Sequence, residues 1–245
     1  MRYLIISDIH ANLQALEAVL DDASGIGFDE ALVLGDLVGY GADPGAVMAR
    51  TFGLAPRGLI RGNHDKVAAG IEPSDLFNDV ARVSIEWTRT VLSAGELDRL
   101  RALPQGPCRI SDEIEICHGS PFDEDYYIFD TGDAGRAIDA ASARICLFGH
   151  THVPAVFTEN DDPLEFQPGL PDDELRLPRR GPSLINVGSV GQPRDGDPRA
   201  AYGLLDTASG TIRLRRVEYD VEGAQARILE AGLPPWLAHR LARGQ

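Results

Sequence analysis

The sequence predicts an α/β domain whose chemistry gathers at strand ends. Short apolar runs of a length suited to buried strands recur along it. The early runs end at polar clusters: Asp8-Ile9-His10, Gly35-Asp36, Gly62-Asn63-His64-Asp65, His118-Gly119-Ser120 and Gly149-His150-Thr151-His152. Stretches with helical spacing of apolar residues lie between them. Open α/β sheets collect their sites just past the carboxyl ends of strands, where these clusters fall.

Residues 4–7 form the first buried strand. Leu13, Leu16, Val19 and Leu20 then mark an amphipathic helix ending near Gly25. Residues 30–34, 58–61, 113–117 and 144–148 read as further strands, each running into the next cluster. Leu76, Val80, Val83, Trp87 and Val91 recur every three to four residues. That spacing predicts a helix with this stripe, Trp87 included, against the core. Residues 96–103 form a short helix closed by Pro104. After His152 the texture changes. Residues 153–157, 183–187, 200–206 and 211–217 predict strands of a second sheet, with a turn at 208–210. The segment 159–180, rich in Pro, Asp and Glu, predicts an exposed loop or hairpin extension. Its acidic run at 172–174 predicts a solvated face. No internal repeat or linker divides the chain, and clusters from both halves must converge. Residues 1–245 are therefore expected to be a single domain.

Bulk composition narrows the class. Of 245 residues, 43% are hydrophobic and 25% charged, as in ordinary globular proteins. No apolar run is long enough for a signal peptide or a membrane span, so no membrane is expected. Cys108, Cys117 and Cys146 are odd in number and form no CxxC pair. Free thiols in strands fit the cytoplasm. On a strand, neighbouring side chains face opposite ways, so Cys117 and Cys146 are core residues rather than ligands. The 38 acids and 23 bases give a net charge of -15, which disfavours nucleic acid. Nearly all the bases are Arg, and Lys66 is the one lysine. Bound divalent cations would offset the acidic balance locally. Oligomeric state, a homo-oligomer included, stays open.

Five of six histidines sit in the clusters. Imidazole nitrogen, carboxylate and amide oxygen together are the donor set of a divalent transition metal. There are enough donors for two ions, and two ions imply phosphate-ester hydrolysis. Asp8 and His10, one residue apart in a turn, can address one ion. Asp36 could bridge two, Asn63 offers a neutral oxygen, His118 and His150 serve the second ion, and His152 reaches back to the first. A water held between two such ions loses its proton near neutral pH and becomes the in-line nucleophile. His64, beside Asn63, is expected to be a general acid rather than a ligand, its imidazolium assisting the leaving oxygen, with Asp65 orienting it. Arg61 and Arg194 are candidate phosphate clamps, because guanidinium grips phosphate bidentately. Arg194 ends the Gly-rich stretch that begins at Gly188. Tyr126 and Tyr127 read as an ordinary loop, and His239 as structural or solvated. Tyr40 either lines the pocket or packs.

These five motifs, in this order, resemble the calcineurin-like metallophosphoesterase superfamily, whose signature is DxH, GDxx, GNH(D/E), a lone H and GHxH. The match runs from the first strand to about Tyr202. The resemblance implies a four-layer α/β/β/α sandwich of two mixed β-sheets flanked by helices. It also implies two divalent ions, with Mn the first choice and Fe, Zn or Ni the alternatives. By resemblance, Asp8, His10, Asp36 and His152 hold the first ion, and Asp36, Asn63, His118 and His150 the second. Residues 35–41 and 186–194 look like a bacterial and archaeal branch without a settled substrate. The eukaryotic-type protein phosphatases carry GDxVDRG, where this chain has Gly39 and Tyr40 in place of the last Asp and Arg. A phosphate-gripping Arg and an Asp that pairs with the catalytic His are thereby missing. Some small phosphodiesterases of the superfamily carry Cys after the motif's Asn, whereas this chain keeps His64.

The expected function is metal-dependent hydrolysis of a small-molecule phosphate ester, diesters favoured. A serine/threonine-type protein phosphatase and a dinucleoside polyphosphate hydrolase are the alternatives within the class. From another class comes a non-catalytic metal-binding scaffold, like the retromer scaffold subunit of this fold. Such members typically lose ligands or the catalytic His, and this chain keeps them.

Overall fold

The computed structural model describes residues 1–159, 164–170, 172 and 174–245. Its first half runs β1 (Arg2–Ile6), α1 (Leu13–Ile26), β2 (Glu30–Val33), α2 (Pro44–Gly53), β3 (Gly58–Leu59) and α3 (Asn63–Ala68). After a 3₁₀ turn (Ser74–Leu76) come α4 (Asp79–Val91), α5 (Ala94–Arg101), β4 (Cys108–Arg109) and β5 (Ile114–Ile116). Then follow α6 (Thr131–Ala140), β6 (Ile145–Phe148), β7 (Ala155–Thr158), β8 (Glu165–Pro168) and β9 (Glu174–Arg176). The chain continues through β10 (Ser183–Asn186), β11 (Ala200–Asp206), β12 (Thr211–Val217), α7 (Val221–Glu230) and α8 (Pro235–Leu241).

Two mixed six-stranded sheets face each other, in the orders β3-β2-β1-β11-β12-β9 and β4-β5-β6-β10-β7-β8. The alternation of strand side chains builds the layers. Tyr3, Ile5, Leu32 and Leu34 point inward to meet Ile116, Ile145, Leu147 and Ile185 of the other sheet. Their neighbours Leu4, Ile6, Ala31 and Val33 point outward onto Leu16, Val19 and Leu20 of α1 and Met48 of α2. On the far side, Cys117, Cys146, Phe148 and Leu184 pack against Ala134 and Ala137 of α6. The result is the α/β/β/α sandwich that the resemblance implied. Among the described residues, no helix is long and apolar enough to cross a membrane.

The division of strands between the sheets differs from the sequence reading. The late strands do not form a sheet of their own. β11 pairs antiparallel with β1, and β12 with β11, inside the first sheet. β10 pairs parallel with β6 and antiparallel with β7 in the second. Composition marks a strand but not its neighbour, and these pairings span most of the chain. The segment 159–180 adds β8 as a hairpin partner of β7, and β9 as an edge strand on β12. Of the acidic run, Asp172 is exposed and ion-paired with Arg215, while Asp173 lies outside the described residues.

The predicted stripe of α4 is also corrected. Leu76 sits in the 3₁₀ turn and is 87% exposed, and Val83 and Val91 are exposed too. The buried face is Ala81, Ser84, Ile85 and Thr88. Ser84 and Thr88 each return their hydroxyl to a backbone carbonyl of the preceding turn, at 2.8 Å. Polar residues satisfied in this way can line a core, so apolarity alone misplaced the stripe. Trp87 half-buries beside the cluster containing Ala224, Leu237 and Leu241 of α7 and α8.

Candidate metal centre

Each motif follows a strand: Asp8 after β1, Asp36 after β2, Asn63 after β3 at the start of α3, His118 after β5 and His150 after β6. β1, β2 and β3 are parallel to one another in the first sheet, and β5 and β6 are parallel in the second. The cluster therefore draws on both sheets. The loops are tied together by backbone bonds: His10 N–H to Asp36 O at 2.9 Å, Asp8 N–H to Gly35 O at 3.1 Å and Gly191 N–H to Asp8 O at 3.0 Å.

The turns are tight. Asp8, His10, Asp36, His150 and His152 have φ between 49° and 67°, the left-handed region. Such a conformation costs an ordinary residue roughly 1–2 kcal/mol and persists only where the surroundings enforce it. Glycines supply the room. A Cβ on Gly62 would lie 2.1 Å from Asp36 Oδ1, and one on Gly149 would lie 2.0 Å from Ser7 Oγ.

Two donor groups result, and both are buried. Asp8, His10, Asp36 and His152 form one; Asp36, His118 and His150 form the other. Asn63 Oδ1 joins the second group, 3.2 Å from His118 Nε2. Asp36 Oδ2 lies 3.5 Å from both His10 Nε2 and His118 Nε2. His152 Nε2 lies 3.4 Å from Asp8 Oδ1.

The ring orientations test whether a cation fits. Nδ1 of His10, His118 and His152 faces the backbone carbonyls of Val38, Leu34 and Gln192, at 3.2, 2.8 and 2.6 Å. A carbonyl accepts only, so each Nδ1 carries a proton, and in His10 and His152, whose charged forms burial disfavours, Nε2 keeps a lone pair. In His150, Nε2 instead faces Asp125 O at 3.1 Å, leaving Nδ1 as the donor atom. The lone pairs of His10 and His152 then meet at 3.1 Å beside two carboxylates. Without a cation that contact is repulsive, and a divalent metal satisfies every atom in it.

Protonation in the metal-free cluster follows the same field. Burial and the neighbouring Asp36 charge push Asp8 up to about 6. Burial holds His10, His150 and His152 well below the usual imidazole range. His118 goes the other way. Burial opposes its charge, but Asp36 and Asp8 outweigh it and push it up to about 10.

His64 packs on Tyr40 (ring centroids 4.4 Å), Phe77 (4.7 Å) and His10 (4.8 Å). Its Nδ1 is buried without a hydrogen-bond partner. Gly39 explains this: a Cβ at that position would lie 2.4 Å from Nδ1, so any side chain there would abut the ring. Burial, with Arg194 and His118 also opposing the charge, lowers His64 to about 4 despite the Asp36 carboxylate. Burial thus works against the imidazolium expected from sequence. Asp65 does not orient it. Its carboxylate accepts from Leu37 N (2.9 Å), Val38 N (3.2 Å) and Gly62 N (3.0 Å). Adjacent residues on a helix point in different directions, so Asp65 braces the loops instead.

Arg61 is also redirected. It makes a two-pronged pair with Glu124, at 3.0 and 3.1 Å, and a bond to Gln105. A fork already filled by a carboxylate is not free to clamp phosphate. Arg194 is less tied: its Nη2 donates to Gln192 Oε1 at 3.1 Å, the hydroxyls of Tyr40 and Tyr127 lie beside it, and its Nε is buried and unpartnered.

Sequence reasoning missed three features. Lys66 is buried and paired with Glu72, Glu124 and Asp125, which ties α3 to the loop after His118. Its status as the one lysine was the only signal. Tyr127 packs on His150, with ring centroids 3.8 Å apart and planes tilted by 30°, so its reading as plain loop is corrected, while Tyr126 turns to Asp133 and Arg136. Arg240, from α8, comes to Tyr40 with no motif to announce it. His239 is exposed on the same helix. Tyr40 does both things open to it: it packs on His10 and His64 and lines a cleft of about 270 Å³ with His64, Phe77, Tyr127 and His150.

Comparison with known proteins agrees with this geometry. The profile of the Calcineurin-like phosphoesterase superfamily domain matches residues 1–210. The uncharacterized protein MJ0912 of Methanocaldococcus jannaschii is 35% identical over 253 residues, spanning 98% of this chain and 97% of that protein. A metallophosphoesterase from Sphaerobacter thermophilus superposes with a TM-score of 0.90 at 40% identity, over all of both chains. The hypothetical protein PH1004 from Pyrococcus horikoshii OT3 shares the fold, with a TM-score of 0.81 at 20% identity over 100% of this chain and 98% of that one.

Proposed function

This chain belongs to the calcineurin-like phosphoesterase superfamily, and from that premise we propose that it hydrolyses small phosphate esters, diesters in preference, at a centre of two divalent cations. The observation that carries this reading is the pair of buried donor sets sharing Asp36, opening beside His64 onto a cleft. Asp8, His10, Asp36 and His152 would hold one cation, and Asp36, Asn63, His118 and His150 the other. When bound, the cations supply Lewis acidity and a water made acidic enough to attack at neutral pH. Mixed nitrogen and oxygen donors suit manganese first, then iron, zinc or nickel.

The chain's own side chains do the rest. Arg194 donates to the non-bridging phosphoryl oxygens. His64, neutral, offers Nε2–H to the leaving oxygen, since Nδ1 faces Gly39. Nearby cations would lower its basicity further, so it acts as a hydrogen-bond donor rather than a cationic acid. Tyr127 and Phe77 give the cleft apolar walls for the organic substituent, which supports an ester with a bulky group. Cys117 and Cys146 stand as free thiols 3.7 Å apart, which supports a reducing, cytoplasmic setting.

The deciding test is reconstitution. Metal-stripped protein receives Mn, Fe, Ni, Zn or Mg in turn and is assayed on p-nitrophenyl phosphate and its bis ester. Turnover that depends on a transition metal and favours the bis ester is expected. A metal-loaded sample inert toward every phosphate ester would instead point to a scaffold.

His64→Ala probes the leaving-group role. Loss of about 10²-fold is expected on alkyl esters and much less on p-nitrophenyl esters, whose leaving group needs no proton. Metal content should stay constant. A uniform loss across leaving groups would remove the assignment.

A further inference from the structure

Building on the phosphoesterase reading, we propose that Arg194 and Arg240 form an anion subsite beside the metal centre, so that the substrate is a phosphate ester carrying a second anionic group, in the simplest case another phosphoryl group. Both guanidinium groups converge on one ring. Arg194 Cζ lies 5.9 Å and Arg240 Cζ 5.8 Å from the centroid of Tyr40. That ring is itself in contact with the centre, 4.7 Å from His10 and 4.4 Å from His64.

The two cations arrive by separate routes. Arg194 ends the Gly-rich loop whose Gly191 N–H bonds Asp8 O. Arg240 comes from α8, beyond the segment that matches the family profile. α7 and α8 are seated there by a small apolar cluster of Ala224, Ile228, Leu237 and Leu241 with Tyr40 itself. The C-terminal helix pair thus positions one positive charge against Tyr40.

Their electrostatics are unusual for this chain. Its net charge is -15, and arginines elsewhere, such as Arg199, Arg213, Arg215, Arg216 and Arg227, are paired with carboxylates. Among the described residues neither Arg194 nor Arg240 pairs with a side-chain carboxylate, as the arginines above do. Arg240 donates its Nε to a main-chain oxygen of Gln245, and Arg194 an Nη2 to Gln192, with the hydroxyls of Tyr40 and Tyr127 also beside it. Burial and the neighbouring Arg194 charge pull Arg240 down to about 10. Asp8, on which the Arg194 charge acts, belongs to a metal donor set. Two like charges held on one ring with no side-chain carboxylate between them repel, and a ligand anion between them offsets that repulsion. One guanidinium suffices for the scissile phosphoryl group; the second selects a substrate with more charge to offer.

The test is binding, independent of turnover. Methylphosphonate and methylenediphosphonate, carrying one and two anionic groups, are titrated calorimetrically into the manganese-loaded protein. The wild-type chain should prefer the two-group ligand by at least about tenfold, allowing for a strong charge-assisted contact. Arg240→Met should reduce that preference about tenfold, and Arg240→Lys less. Arg243→Met, which removes one exposed charge from the same end of the chain, should leave the preference intact. Thermal melting confirms that each variant is folded. An unchanged preference in Arg240→Met overturns the subsite, as does an equal drop in Arg243→Met. If methylphosphonate binds while the preference is insensitive to Arg240, only the subsite falls. If neither ligand binds, the phosphoesterase reading falls with it.

Discussion

Asp36→Asn should reduce phosphoesterase turnover at least about 10³-fold, on the order of 4 kcal/mol of lost transition-state stabilisation. The expectation follows from where the carboxylate stands. It is the one side chain common to both buried donor groups, with Oδ2 3.5 Å from His10 Nε2 and 3.5 Å from His118 Nε2. Asn has the same shape and keeps an oxygen for the His64 backbone N–H, which Asp36 Oδ1 accepts at 2.9 Å. The fold should therefore survive while the charge is lost. Elemental analysis should find both cations depleted, and the metal-free protein should melt lower at pH 7, because the buried Asp36–His118 pair loses its negative partner. An independent check uses that metal-free protein. Asp36 is the principal charge holding His118 up at about 10, so the NMR titration of His118 should move to lower pH in the variant. A variant that retains two cations and normal turnover would end the assignment of a shared ligand.

Gly62→Ala should be nearly as damaging, although it alters no ligand. Gly62 has an ordinary extended conformation, with φ -103° and ψ -177°, so alanine meets no backbone penalty. The obstacle is contact: the added carbon would sit 2.1 Å from Asp36 Oδ1 and 2.6 Å from Asp36 N. A backbone nitrogen cannot swing aside, so the loops after β2 and β3 must part. Overpacking of this kind costs about 1–3 kcal/mol of stability. The larger effect falls on the site, because catalytic groups tolerate displacements of only about 0.5 Å. A loss of about 10²-fold or more in cation affinity is expected, with a modest drop in melting temperature. Calorimetric titration of manganese into the metal-free variant reads the first, and a thermal melt the second. Wild-type affinity would show that the two loops are not interlocked.

The centre was legible in the sequence because its parts are local. A ligand at a strand end needs only the apolar run before it and a residue or glycine permitting a tight turn. Asp8-Ile9-His10 and Gly149-His150-Thr151-His152 carry both within a few residues. Partnership was not legible. Arg61 and Glu124 are 63 residues apart, and nothing near either announces a bidentate pair. Asp65 looked like a partner for its sequence neighbour, but helical geometry turned it toward Leu37 and Val38. The two sheets were visible as strands and wrongly partitioned, because β1 chooses β11 through packing over the whole chain. Short helices such as α3, whose first residue is Asn63, have too few turns to show a period. α7 and α8 are seated by tertiary contacts with Tyr40, so Arg240 left no local trace.

Lys66 has a practical consequence. The chain's other basic side chains, histidines aside, are guanidinium groups, and its single ε-amine is 2% exposed and enclosed by Glu72, Glu124 and Asp125. Acylating reagents thus find no accessible side-chain target on the native surface. Modification of Lys66 becomes a clock: its rate counts how often the wall between α3 and the His118 loop swings open, and a bound ligand that latches the wall slows it.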